Sequence, residues 1–320
     1  MADSGPTPSR WSDLDRPPLD AAALRRALLA SSNAAPGAPG WRALDVVQVT
    51  GSTNADVVAR AGAGEEAGYV LLAEDQTAGR GRRERAWSSP PRAGLALSVL
   101  LRPAVPADRL SWVPLLGGLA VASALRRTCG LPAVVKWPND VLVPVPQADG
   151  RLSPDAVGKV SGLLAEVVPA PGGSPGAARQ SPAVVLGIGV NVTQEQDELP
   201  VPTATSLRLA GAAVTDRFTV AKAVLRELAE RYDRWTAADG DPRAGLAAAY
   251  REACDTIGRD VTVHLPDGSG LTGATLTGRC EGVDDEGRLL VAPVGPDGSV
   301  SEVRALSVGD VVHVRPADRA

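Results

Sequence analysis

Five short runs in this 320-residue chain carry side chains able to act on a charged or polar small molecule. The first, from Gln76 to Trp87, sets Arg80, Arg82, Arg83 and Arg85 around glycines 79 and 81. Guanidinium groups stay charged and offer planar forks that suit phosphate oxygens. Glycines let a ligand approach the backbone closely and permit positive φ. A solvated basic loop fits the same residues. A dinucleotide fingerprint does not, because Glu84 stands where the third glycine belongs. The second run, Lys136-Trp137-Pro138-Asn139-Asp140, presents an amide and a carboxylate at the end of a strand. Asn can read an amide or a base edge, and Asp can accept from a sugar or hold a metal. An ordinary Pro-Asn-Asp turn is the plain alternative.

The third run, Gly158 to Glu166, puts Lys159 at the head of an apolar strand and thins the wall at Ser161-Gly162. A lysine there can meet a carboxylate or a phosphate. The fourth, Gly187-Ile188-Gly189-Val190-Asn191, has glycines at alternate strand positions, which leaves one face bare for a flat ligand. Close packing against a helix would use the glycines equally well. The fifth, Gly51-Ser52-Thr53-Asn54, can cap a helix or bind a polar head group. The chain has no Walker A run and no nucleophile–base constellation. Cys129, Cys254 and Cys280 form no C-x-x-C pair, and His264 and His313 are too few for a zinc pattern.

Usage supports these runs. Only three lysines occur (Lys136, Lys159 and Lys222) against thirty arginines, and only four asparagines (Asn33, Asn54, Asn139 and Asn191). Two of the lysines and three of the asparagines fall inside the runs.

The elements that must position these residues follow from periodicity and punctuation. Asp20 predicts the cap of a short helix reaching Ser31, with the compact part starting at Trp41. Strands are predicted at 44–49, 69–74, 94–101, 134–143, 159–168 and 183–192, and helices at about 51–61, 110–127, 220–235 and 241–254. The Pro/Gly-rich stretches 144–157 and 169–182 read as loop tips. After Thr256, short alternating strands separated by Asp-Gly and Glu-Gly turns predict a small β module, with strands at 261–265, 271–277, 280–283, 289–294 and 311–314.

Composition bounds the function. The chain is 44% apolar and 22% charged, with net charge −4 and 3% aromatics. That balance disfavours a general electrostatic or base-stacking nucleic-acid binder. The longest uncharged stretch, 110–125, is short of the ~20 apolar residues a membrane span needs. The N-terminus lacks the pattern of a signal peptide, and cysteine usage fits a reducing cytoplasm.

Taken together and in this order, the five runs resemble biotin protein ligases over about residues 41–254. The resemblance implies an α+β fold: a mixed-sheet catalytic domain related to class II tRNA synthetases and lipoate ligases, followed by a small SH3-like β-barrel. Its implied organisation is an N-terminal segment at 1–40, partly disordered with a short helix, a catalytic domain at 41–255 and a C-terminal domain at 256–320. It implies ATP-dependent attachment of biotin to a lysine of a biotin carboxyl carrier protein through biotinyl-5′-AMP. Biotin, ATP and Mg2+ are then the small molecules, with no tightly bound cofactor and no dedicated metal site.

By the same resemblance, biotin binding falls to Ser52, Thr53, Asn54, Gln76, Gly79, Arg80, Gly81, Arg82, Lys159, Gly162 and Gly189. ATP binding falls to Arg83, Arg85, Trp87, Asn139, Lys159 and Asn191, and the catalytic roles to Lys159, Arg82 and Arg85. Lys136 would support Asn139. About 40 residues before the catalytic domain are too few for the winged helix of repressor members, so no nucleic-acid partner is expected. No membrane association is expected either, and the state is a monomer or weak homodimer in the cytoplasm. Lipoate–protein ligase and a non-catalytic biotinyl-AMP binder remain the alternative readings.

Overall fold

The computed structural model describes residues 15–29, 40–147, 152–169, 182–266, 272–295, 298–307 and 309–313. Helix α1 (Ala21–Leu28) is capped by Asp20, whose carboxylate accepts from the Ala23 amide. Strand β1 (Ala43–Thr50) leads into α2 (Thr53–Gly62), capped by Ser52. Strands β2 (Tyr69–Gln76) and β3 (Gly94–Leu101) precede the long helix α3 (Trp112–Cys129). Then come β4 (Val134–Lys136), β5 (Asp140–Pro146), β6 (Leu152–Val168) and β7 (Ala183–Asn191). Helices α4 (Arg217–Ala237) and α5 (Leu246–Ala253) complete this part.

The seven strands form one mixed sheet in the order β1-β2-β3-β7-β6-β5-β4, parallel only between β1 and β2. Side-chain alternation along β7 divides the labour. Val184, Leu186, Ile188 and Val190 point to the main core with α3 and α4. On the opposite face Ala183 and Val185 pack with Val57 and Ala61 of α2, and positions 187 and 189 are glycine. The helix therefore covers one half of that face and leaves the other half bare. Helix α3 lies close on its own side, since a Cβ on Gly117 would come within 2.8 Å of Leu163 and Leu186.

A second sheet, antiparallel throughout, has the order β11-β10-β9-β8-β12. Its strands are β8 (Asp260–Pro266), β9 (Thr272–Val283), β10 (Leu289–Pro293), β11 (Arg304–Leu306) and β12 (Asp310–His313). It is consistent with an SH3-like fold. Among the described residues β11 and β12 stand at the two edges of this sheet, with no pairing between them. The module is seated by tryptophans of the first part. Trp112 and Trp137 donate their indole N–H to the carbonyls of Asp285 (2.8 Å) and Gly287 (3.0 Å).

Several expectations need correction. The strand predicted at 134–143 is a hairpin of β4 and β5 that turns at Trp137-Pro138-Asn139, with Lys136 paired to Asp140. The stretch 144–157 is not a loop tip, for Pro144 and Pro146 continue β5 and pair with Val157 and Leu152 of β6; residues 148–151 lie outside the described ones. Most of the predicted insert 169–182, and the Asp267–Gly268 turn, also lie outside them. The helix expected at 241–254 is broken at Gly245 (φ 113°) into a short turn and α5. Predicted strands 271–277 and 280–283 are one strand, β9, and β11 was not anticipated.

The packed part also begins before Trp41, with Leu19, Leu24 and Leu28 in the main core. A buried ion pair, Arg217 to Glu74 at 2.8 Å, anchors this segment. Glu74 accepts from the Leu19 amide (2.6 Å), and Arg217 donates to the Pro17 carbonyl (2.6 Å). Each charge is thereby both paired and hydrogen-bonded, the condition for burying it.

Candidate functional site

The bare half of the sheet is the floor of a cleft of about 630 Å3. Every site residue expected from the sequence borders it except Gly79. Gly79 stands behind, where a Cβ would meet the Trp87 carbonyl at 2.3 Å and the Trp87 amide donates to the Gly79 carbonyl (2.8 Å). Its role is to let the two arms of the arginine loop close on each other. Neither Gly79 nor Gly81 takes the positive φ expected of them; Arg83 does, at 55°.

One end of the cleft is neutral and interlocked. The Gln76 Oε1 accepts from the Thr53 amide at 2.8 Å and lies 2.9 Å from the Thr53 hydroxyl. Ser98, fully buried and absent from the expected set, donates to Asn54 Oδ1 at 2.6 Å. Asn54 in turn donates to the Leu164 carbonyl (3.2 Å) and to Glu166 (2.7 Å). Its amide is thus spent on scaffold contacts, beneath the backbone of Gly187, where a Cβ would come within 2.2 Å of Oδ1. Ser52 serves as the α2 cap, accepting from the Ala55 amide at 3.5 Å.

The other end is charged. Lys159 Nζ lies 2.7 Å from Asp140 Oδ1 and 5.7 Å from the centre of the Trp87 ring. The Trp87 indole lies against Gly189, where a Cβ would come within 2.4 Å of it, and a Cβ on Gly162 would meet both Trp87 and Lys159. The glycines therefore admit a flat ring and an ammonium onto the floor. Arg82 donates to Asn139 Oδ1 (3.2 Å), while Asn139 Nδ2 donates to the Leu163 carbonyl (2.9 Å). Burial, with Arg83 next to it, lowers the pKa of Arg82. Burial likewise lowers that of Lys136, against the pull of Asp140.

The second module supplies a wall that no local signal in the sequence marks. Gly309, Asp310, Val311 and Val312 border the cleft. They and their neighbours hold the arginines: Arg82 donates to the Gly309 carbonyl (3.4 Å), Arg83 to that of His264 (2.9 Å), and Arg85 pairs with Asp310. A further wall, Pro200 to Ala204, runs beside Lys159, whose amide donates to the Thr203 carbonyl at 2.8 Å. Asp140, which lies in the second run but outside the expected site residues, is the partner of Lys159. Among the described residues no group of three or more His, Cys, Asp and Glu stands together as a metal site, and no helix is long and apolar enough to cross a membrane.

The cleft has a neutral hydrogen-bonding end, a cationic end and Lys159 on its glycine floor, an arrangement able to hold a polar molecule beside a phosphate-bearing one. Residues 47–191 match the biotin/lipoate A/B protein ligase family. The chain is 41% identical over 305 residues to the biotin–(acetyl-CoA-carboxylase) ligase of Mycobacterium tuberculosis, covering 94% of this chain and 97% of that one. It is 33% identical to the enzyme of the same name from Paracoccus denitrificans, over 78% of this chain and 93% of that protein. The biotin protein ligase of Aquifex aeolicus, solved with biotin and ATP, superposes with a TM-score of 0.62 at 25% identity, over 86% of this chain and 100% of the other. The chain belongs to the biotin protein ligases.

Proposed function

We propose that this protein attaches biotin to a lysine of a biotin carboxyl carrier protein or domain in two steps. In the first, a carboxylate oxygen of biotin attacks the α-phosphorus of ATP, the bond to pyrophosphate breaks, and biotinyl-5′-AMP forms. In the second, the carrier lysine amine attacks the acyl carbon, AMP leaves, and the amine gives up its proton. The observation that carries this reading is the polarity of the cleft: neutral hydrogen-bonding groups at one end, cations at the other, and Lys159 on the floor beside Gly162.

Carboxylates are poor electrophiles, and phosphate is a far better leaving group than oxide. The chain's task is then positioning and charge neutralisation, without a protein nucleophile. Thr53 and Gln76, with Ser52 and Asn54 behind them, take the ring end of biotin. Gly162 and Gly189 form its floor. Arg80 and Arg82 close over the acyl-phosphate, and Arg83 and Arg85 exchange their oxygen partners in the second module for phosphate oxygens. Lys159 stabilises charge on the carboxylate and the α-phosphate in both steps. Trp87 packs on the adenylate. A magnesium ion carried with ATP would find hard oxygen donors in Asn139, Asn191 and Asp140, and would neutralise phosphate charge.

The proposed division is 41–255 for the catalytic domain and 256–320 for the C-terminal one, with action in the cytoplasm as a monomer or weak homodimer. Pyrophosphate–ATP exchange with MgATP, with biotin and lipoate supplied separately, tests the reading. Exchange with biotin alone is expected. Exchange with lipoate would replace the substrate, and exchange with neither would leave a binding protein.

A further inference from the structure

Immediately after β7 the chain carries a buried amide that none of the recognised runs includes. Gln194 is 1% exposed and stands three residues beyond Asn191. Its Oε1 accepts from the Val192 amide at 2.6 Å. A backbone N–H can only donate, so this contact fixes which end of the Gln194 carboxamide is oxygen. The Nε2 end then has two acceptors, Ser89 Oγ at 2.9 Å and Asn191 Oδ1 at 3.3 Å. Ser89 passes its own proton to the Pro90 carbonyl at 3.1 Å, which leaves its oxygen free to accept.

The polarity is carried onward to Asn191. Its Oδ1 faces the Gln194 donor, and its Nδ2 donates to the Thr205 carbonyl at 2.9 Å. Both neighbours demand the same orientation, so the Asn191 carboxamide is held one way round at the border of the cleft. A carbonyl oxygen has two lone pairs, and among the described residues Oδ1 accepts from Gln194 alone. The remaining capacity is that of a hard oxygen donor.

The seat of Gln194 is built for it. A Cβ on Gly94 would come within 2.9 Å of Nε2, so only glycine leaves the room. Ser206, fully buried, donates to the Gln194 carbonyl at 2.7 Å. Thr193 and Arg208 close the segment through backbone bonds to Ala93 and Val192.

We propose that Gln194 is a positioning residue for nucleotide binding: it orients the Asn191 carboxamide and, through Ser89, ties it to the segment that leaves the arginine loop. The proposal rests on Asn191 serving ATP and its metal, as given above. Gln194→Glu keeps the size and the acceptor for the Val192 amide but turns an oxygen toward Asn191 and Ser89. Gln194→Leu removes both ends. Ser206→Ala loosens the same segment without touching the carboxamide.

Each variant is assayed by pyrophosphate exchange for KM of ATP and of biotin, and its Tm is recorded. Side-chain amide signals are followed in protein labelled with 15N at asparagine, where there are only four residues to resolve. Asn191→Ala serves as the reference and removes one signal, which assigns it. Gln194→Glu is expected to raise KM for ATP about tenfold, the scale of one lost hydrogen bond, with KM for biotin within about twofold. It is also expected to move the Asn191 amide signal, whereas Ser206→Ala lowers Tm and leaves that signal in place.

Equal rises in both KM values alongside a lowered Tm would reduce Gln194 to a packing residue and overturn the proposal. So would an unmoved Asn191 signal in Gln194→Glu while Asn191→Ala raises KM for ATP. If Asn191→Ala itself leaves KM for ATP unchanged, the reading of Asn191 fails first, and the proposal with it.

Discussion

The two ends of the cleft are held by different means. At the neutral end, Thr53, Gln76, Ser98 and Asn54 bond to one another and to strand carbonyls within the seven-stranded sheet. These are contacts between buried or half-buried groups on rigid elements, and a ligand finds them already arranged. At the charged end, Arg82, Arg83 and Arg85 are held by carbonyl and carboxylate oxygens of the second module, and the Arg85–Asp310 pair is largely exposed. Exposed pairs are weak, and every oxygen in that set can be replaced by a phosphate oxygen. One end is a fixed mould, and the other is a set of exchangeable contacts.

Substitutions at the two ends should therefore fail differently. The largest effect is expected where the ends meet. Lys159→Ala should slow adenylate formation by roughly 10²-fold or more, the scale for losing a preorganised charge at the reacting centre. Unchanged single-turnover formation of biotinyl-AMP would remove Lys159 from the chemistry. On the fixed floor, Gly189→Val must displace Trp87. Overpacking of that kind costs about 1–3 kcal/mol, so KM for biotin should rise about tenfold or more. A smaller rise there than in KM for ATP would misplace the biotin floor.

Arg82→Ala should leave the adenylate formed but poorly retained, with dissociation faster by roughly tenfold, as for a lost charge-assisted contact. Retention equal to the unaltered protein would contradict loop closure. Asp310→Asn removes only a competitor for Arg85. KM for ATP should fall by less than about fivefold, with Tm almost unchanged, because such a pair is worth at most ~1 kcal/mol. A large loss of stability would show that the second module holds the loop as firmly as the sheet holds its own residues.

The seam between the modules offers a test in pH. His313 Nδ1 lies 3.6 Å from Asp255, yet burial, with Lys136 and Arg259 nearby, pushes the imidazole down to about 3. The folded state thus favours neutral histidine, while the unfolded chain protonates near pH 6.5. Stability from this site is complete above about 6.5 and is lost as pH falls toward 3. His313→Gln should flatten that part of the Tm profile between pH 6 and 4, as followed by calorimetry; an unchanged slope would place the acid sensitivity elsewhere.

Much of the site was legible because glycine leaves a plain trace in a strand. Alternation at 187 and 189 gave the bare face, and Ser52 and Asp20 marked helix starts by cap chemistry. What was illegible was either non-local or locally contradictory. The apolar run 134–143 looks continuous on both sides of Pro138, although the chain reverses there. Pro144 and Pro146 suggest a loop, yet both lie in β5, where the pairing register shifts between them. Positive φ fell on Arg83 rather than on either neighbouring glycine, held in place by its contact to the His264 carbonyl. Gly309 to Val312 reach the cleft because Trp112 and Trp137 help seat the second module against it, through contacts that span 150 residues or more and for which no local pattern exists.

The position of Trp87 carries an optical consequence. Trp41, Trp112, Trp137 and Trp235 are buried, and each donates its indole N–H to a backbone carbonyl. Their emission is a steady background set by packing. Trp87 is half-buried, rests on the glycine floor and has an ammonium near its ring. Among the described tryptophans, Trp87 is the one whose surroundings change when the cleft is filled, so occupancy can be followed by the intrinsic fluorescence of the unlabelled protein.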